Sequence, residues 1–175
     1  MAALGGSSVG PALTGRGEFV SAAADYCQLY ERASELDAER FLVGLERVLP
    51  RLLATGLELS FSDDDDELPE DEADLSLTIE ERQAVDWPVQ ALLGKLDLSD
   101  AEDCLDRPAG GTMLSDDLSD IYADLKEGFR LLDAGRPEVE ADFVWYQGYW
   151  SHWGYHCASA IGVVHHYVAL YFGPL

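Results

Sequence analysis

His152 and His156 stand four residues apart. On one helix that spacing puts both imidazoles on the same face, about one turn from each other. Two ring nitrogens so placed can share a divalent metal or each bond to a carboxylate. Acids suited to meet them cluster in Ser115-Asp116-Asp117-Leu118-Ser119-Asp120, so Asp116, Asp117 and Asp120 are the candidate partners of His152 from a neighbouring helix. Helical bundles build metal sites from such facing side chains. The pattern departs from familiar metal motifs, because Trp153, not Glu, follows the first histidine and no Glu-x-x-His pair accompanies it. A hydrogen-bonded histidine–carboxylate pair that fixes packing register is therefore the first expectation, and a metal centre on His152 and His156 the alternative.

Two further groupings carry chemistry. Asp117, Asp120, Asp124 and Glu127 step by three and four along one side of a helical segment. Such a stripe reads as a solvated face unless one carboxyl is desolvated enough to act as an acid or base. Trp145, Tyr146, Tyr149, Trp150, Trp153 and Tyr155 crowd a short stretch. Trp145 and Trp153 are carried as candidate binding residues because aromatic rings line grooves and partner surfaces, although at helical spacing such rings are more often core. No serine or cysteine nucleophile is marked out by spacing.

The elements that must position these residues are helical almost throughout. Phe19, Ala22, Tyr26, Leu29, Tyr30, Ala33 and Leu36 predict a first helix over residues 17–35. Asp37 is placed to cap a second, with Phe41, Leu42, Leu45, Val48, Leu49, Leu52 and Leu53 as its stripe, Pro50 inside it and Gly56 at its end. Thr78-Ile79-Glu80-Glu81 is a capping-box pattern opening a third, which contains Pro88. The fourth begins at Ser115, buries Leu118, Ile121, Tyr122, Leu125, Phe129 and Leu132, and stops at Gly135 and Pro137. From Phe143 to Leu175 there is no Asp, Glu, Lys or Arg. That stretch predicts one long apolar C-terminal helix serving as the spine of a soluble bundle. Its histidines and scattered aromatics argue against a membrane span. The fold class expected is all-α, a bundle of five or six helices. Residues 1–15, uncharged before Arg16 and broken by glycines, predict a disordered tail without the features of a secretory signal. Residues 16–172 form the single domain, with an acidic loop at 60–76 in which Asp63 to Asp74 carry nine acids.

Composition narrows the partners. Acids number 34 against 11 bases, for a formal net charge of −23. That field repels phosphate backbones and anionic lipid, so neither nucleic acid nor membrane is expected as a partner. Cys27, Cys104 and Cys157 are odd in number and widely spaced, which predicts free thiols and a cytoplasmic setting.

Two stretches together resemble a known family. The run from Ser115 to Gly128, SDDLSDIYADLKEG, followed by Trp145, His152-Trp153-Gly154-Tyr155-His156 and His165, is similar in order and separation to the bacterial domain-of-unknown-function family 5063. The resemblance spans roughly residues 17–170 in helix layout, with its specific motifs inside 115–166. It implies a small helical domain and no particular activity. The functional expectation is a protein-binding or scaffold domain without catalytic activity, meeting a protein partner or a second copy of itself and needing no cofactor. The alternative is a metal-dependent enzyme using a divalent ion at His152 and His156, and a remote one is an acidic DNA-mimic inhibitor.

Overall fold

The computed structural model describes residues 15–60, 75–96 and 114–173. The tail up to residue 14 and the acidic run at 61–74 lie outside the described residues, as does Cys104. Among the described residues the chain is all-helical: α1 (Gly15–Glu31), a 3-10 turn (Ala33–Glu35), α2 (Ala38–Gly56), α3 (Ile79–Leu93), α4 (Leu114–Asp133), α5 (Glu138–Ser151) and α6 (Trp153–Tyr171).

The ends of these helices follow from local chemistry. Asp37 caps α2 by accepting from the Arg40 N–H at 2.8 Å. Thr78 and Glu81 form a reciprocal capping box on α3. At the far end of α4, Gly135 takes a left-handed φ of 74°, and the Arg136 N–H reaches back to the Leu131 carbonyl. That Schellman turn reverses the chain into α5. Both α2 and α3 run through their prolines, Pro50 and Pro88, as single helices.

The core lies where α6 packs on α2 and α4, with α1 laid across α2 and α5 paired with α4. Phe19, Tyr26 and Tyr30 from α1, Phe41, Leu45, Leu49 and Leu52 from α2, and Leu118, Ile121 and Leu125 from α4 are buried. Trp145 on α5 and Trp153 on α6 are both fully buried and both pack on Phe19, edge-on and tilted respectively, at 5.3 and 5.8 Å between ring centroids. Burial of an indole leaves its N–H in need of an acceptor. Trp145 donates to the Leu125 carbonyl and Trp153 to the Trp145 carbonyl, each at 3.0 Å. Gly128 makes room for this: a Cβ there would sit 2.3 Å from the Trp145 indole.

The expected long C-terminal helix is two helices. His152 leaves the helical region, with φ −147° and ψ −84°, and separates α5 from α6. The physical reason lies beside it. At Gly154 a Cβ would fall 2.2 Å from the Tyr149 carbonyl oxygen, so only glycine lets α6 close against the last turn of α5. The Trp153 indole bond back to Trp145 then locks the joint. Gly56, expected as a cap, is instead a buried crossing point under Tyr149 and Trp153. Among the described residues no helix is long and apolar enough to cross a membrane.

Candidate functional site

The break at His152 brings that residue and His156 onto the face of α4. His156 lies on the first turn of α6, and its Nδ1 is 2.8 Å from Oδ1 of Asp117, a carboxylate with a side chain only 1% exposed. His152, at the joint itself, puts its Nδ1 2.8 Å from Oδ2 of Asp124. The two rings meet edge to face with centroids 4.7 Å apart. Asp120, one turn beyond Asp117, completes the group with its Oδ2 3.5 Å from His156 Nε2. One ligand atom each from Asp120, His152 and His156 falls within 4.8 Å of the other two.

The arrangement has the form of a metal-ligand set. An imidazole that holds a metal through one nitrogen commonly gives its other N–H to a carboxylate, which fixes ring orientation and tautomer. Here both Nδ1 atoms are committed to carboxylates of α4, leaving the two Nε2 atoms as the available ligand nitrogens. The separation of His156 Nε2 from Asp120 Oδ2 is close to the edge of a tetrahedron around zinc, which bond lengths of about 2.0–2.2 Å set at about 3.3 Å. His152 is half-exposed, so one flank of the group is open to solvent.

A cation and a second layer of polar groups stand behind Asp120. Arg82 of α3 donates through Nη2 to Asp120 Oδ1 and through Nε to Ser119 Oγ at 2.8 Å. Ser119 in turn donates to Asp86 Oδ2 at 2.8 Å, and the hydroxyl of buried Tyr30 donates to Asp86 Oδ1 at 2.7 Å. Burial draws the Arg82 guanidinium down, but the bond to Asp120 and the charges of Asp120 and Asp86 prevail and hold it above its ordinary value. Burial, then the bond to Asp86, pushes the Tyr30 hydroxyl well up, so it remains a proton donor.

The residues singled out from the sequence separate into three places. Asp117, Asp120, His152 and His156 converge. Asp116 is exposed on α4, with the Ser115 hydroxyl 3.4 Å from its Oδ1, and does not reach the imidazoles. Trp145 and Trp153 lie in the core and present no ring to a ligand. The partner of His152 is Asp124, which the sequence reading put on the solvated stripe, and not Asp116, Asp117 or Asp120. Arg82, Ser119, Asp86 and Tyr30 escaped the sequence reading. The Arg82–Asp86 spacing on one helix was its only local sign.

An all-helical bundle, with six helices among the described residues and a carboxylate–imidazole cluster between α4 and α6, is thus the class of protein in hand. The profile of the family described as Domain of unknown function (DUF5063) matches residues 16–170, and the chain belongs to that family. It is similar in fold to the crystal structure of protein BF1032 from Bacteroides fragilis. The TM-score is 0.69 with 22% sequence identity, over 90% of this chain and 92% of that one. No curated protein matches the chain.

Proposed function

We propose that this domain is a metal-dependent enzyme, with a divalent transition metal held by Asp120, His152 and His156 and a coordinated water as its reactive group. The observation that carries the reading is the pair of carboxylates, Asp117 and Asp124, bonded to the Nδ1 atoms of the two histidines. Each imidazole is held by a carboxylate at Nδ1, the support that metal-ligating histidines commonly have, and Asp120 stands beside them as a third candidate ligand. Three protein ligands leave the fourth position of a tetrahedral ion to water, the arrangement of catalytic zinc. A zinc ion held there would lower the pKa of a bound water toward about 7 and so supply a hydrolytic nucleophile near neutral pH. Charge also favours a cation: Arg82 pairs with Asp86 and Asp120, while Asp117 and Asp124 pair with the two imidazoles.

Elemental analysis of the protein purified without added metal tests the reading. About one equivalent of zinc or another transition metal is expected, lost in His156→Ala. Absence of metal, together with no uptake of added zinc, overturns it. A protein-contact role is the second reading, favoured by Trp150 at 64% and Tyr155 at 80% exposure, the residues that flank His152 along the chain. It predicts self-association or partner capture, weakened by Trp150→Ala and Tyr155→Ala and indifferent to metal.

A further inference from the structure

We infer that Arg82 is a positioning residue that sets the metal preference of this site by confining Asp120 to a single coordinating oxygen. The inference rests on the metal reading above and concerns which ion the site prefers. A free aspartate offers a metal one oxygen or two. Ions that take six to eight oxygens accept both, while a tetrahedral zinc site takes one.

Asp120 is not free to choose. Its Oδ1 accepts from Arg82 Nη2, and its Oδ2 is the oxygen that faces His156 Nε2 at 3.5 Å. The guanidinium is itself pinned. Its Nε donates to Ser119, the residue adjacent to Asp120, so a planar fork grips two consecutive side chains of α4. Ser119 is anchored to Asp86, and Asp86 to Tyr30, which is 1% exposed. The chain of bonds thus runs from the interior of α1 to the coordinating carboxylate, and turning Asp120 toward two-oxygen coordination would break its outer link.

The test compares zinc with manganese on the full chain. Both ions carry the same charge, so removing the positive charge of Arg82 shifts both affinities alike by Coulomb attraction. Only the ratio of the two dissociation constants reports carboxylate geometry. Competition against a chromophoric chelator gives that ratio for the wild type and for Arg82→Gln, Arg82→Lys and Ser119→Ala, with circular dichroism as the control for folding. The expected result is a fall of about tenfold in the preference for zinc in Arg82→Gln, the low end of the affinity that a metal site loses with a partner of one of its ligands, borne here by zinc and not by manganese. Arg82→Lys restores part of the preference. Ser119→Ala, which keeps the guanidinium and removes its anchor, falls between, and it decides the matter if Arg82→Gln does not fold. Equal weakening of both metals, or an unchanged ratio, overturns the inference. A wild-type protein that binds neither ion removes the metal reading itself, a result distinct from an unchanged ratio.

Discussion

The two sides of α6 are made of different materials. Toward α2 it presents Trp153, Cys157 and their neighbours. The Trp153 ring covers Gly56, and the Cys157 thiol lies 3.5 Å from the Leu49 carbonyl, which it faces as donor. Toward α4 the same turns present His152 and His156 to Asp117, Asp120 and Asp124. An apolar seam gains stability from each methylene it hides, whereas a cluster of ionisable groups pays desolvation that its own pairings only offset. One helix therefore divides its work: the α2 side holds the fold, and the α4 side holds a cluster that stability alone does not explain. Substitutions on the two sides should fail in different measurements.

The largest effect is expected on the apolar side. Trp153→Ala removes a fully buried indole and its bond across the joint, and should cost roughly 3–5 kcal/mol in urea unfolding. On the polar side Asp124→Asn should behave in the opposite way. Its pair with His152 is partly exposed, so unfolding free energy should change by less than about 1 kcal/mol. Zinc affinity should drop roughly 10–100-fold, because the second-layer carboxylate has been lost. A large stability loss with unchanged affinity would erase the contrast between the two sides.

Alkaline pH sharpens the same division. Burial pushes the thiols of Cys27 and Cys157 up to about 12 from an ordinary 9.0. Their neutral forms favour the fold fully below pH 9. As pH rises from 9 toward 12 the unfolded chain loses these protons first and stability falls. Between pH 7 and 10 the two thiols together should lower the unfolding free energy by about 3 kcal/mol. In the native protein at pH 8 neither should react with an alkylating reagent at the rate of a free thiol. The smallest effect is expected far from both sides, where Thr78→Ala removes the cap of α3 at a cost of about 1 kcal/mol. Its partner Glu81 is held down to about 2, first by Arg130 and then by Thr78. The contribution of the ionised Glu81 is therefore present above the ordinary carboxylate value of 4.5 and is lost as pH falls toward 2, whereas the bond from the Glu81 N–H to the Thr78 hydroxyl does not titrate.

Much of this was readable before any coordinates. The apolar stripe of α4 and its stop at Gly135 follow from spacing and from the one residue that tolerates a left-handed turn. The capping residues Asp37 and Thr78 act where their types predict. What stayed hidden was relational. Asp124 looks like a solvated carboxylate on its own helix, because nothing in a one-dimensional stripe says that His152 will lie against it. The break at His152 depends on Gly154 admitting the carbonyl of Tyr149, a contact across a turn that apolar periodicity does not register. The expected partners Asp116, Asp117 and Asp120 follow from their place on α4 alone, which does not say where along α4 the joint at His152 will fall. The indoles of Trp145 and Trp153 are interior, as their helical spacing suggests, and the glycines opposite them make the room.

The most direct measurement is anomalous X-ray scattering at the zinc edge from crystals of this protein grown with one equivalent of zinc. The account predicts a single strong peak among Asp120 Oδ2, His152 Nε2 and His156 Nε2, at about 2.0–2.2 Å from each. No peak there, or peaks scattered over the acidic surface alone, would contradict it.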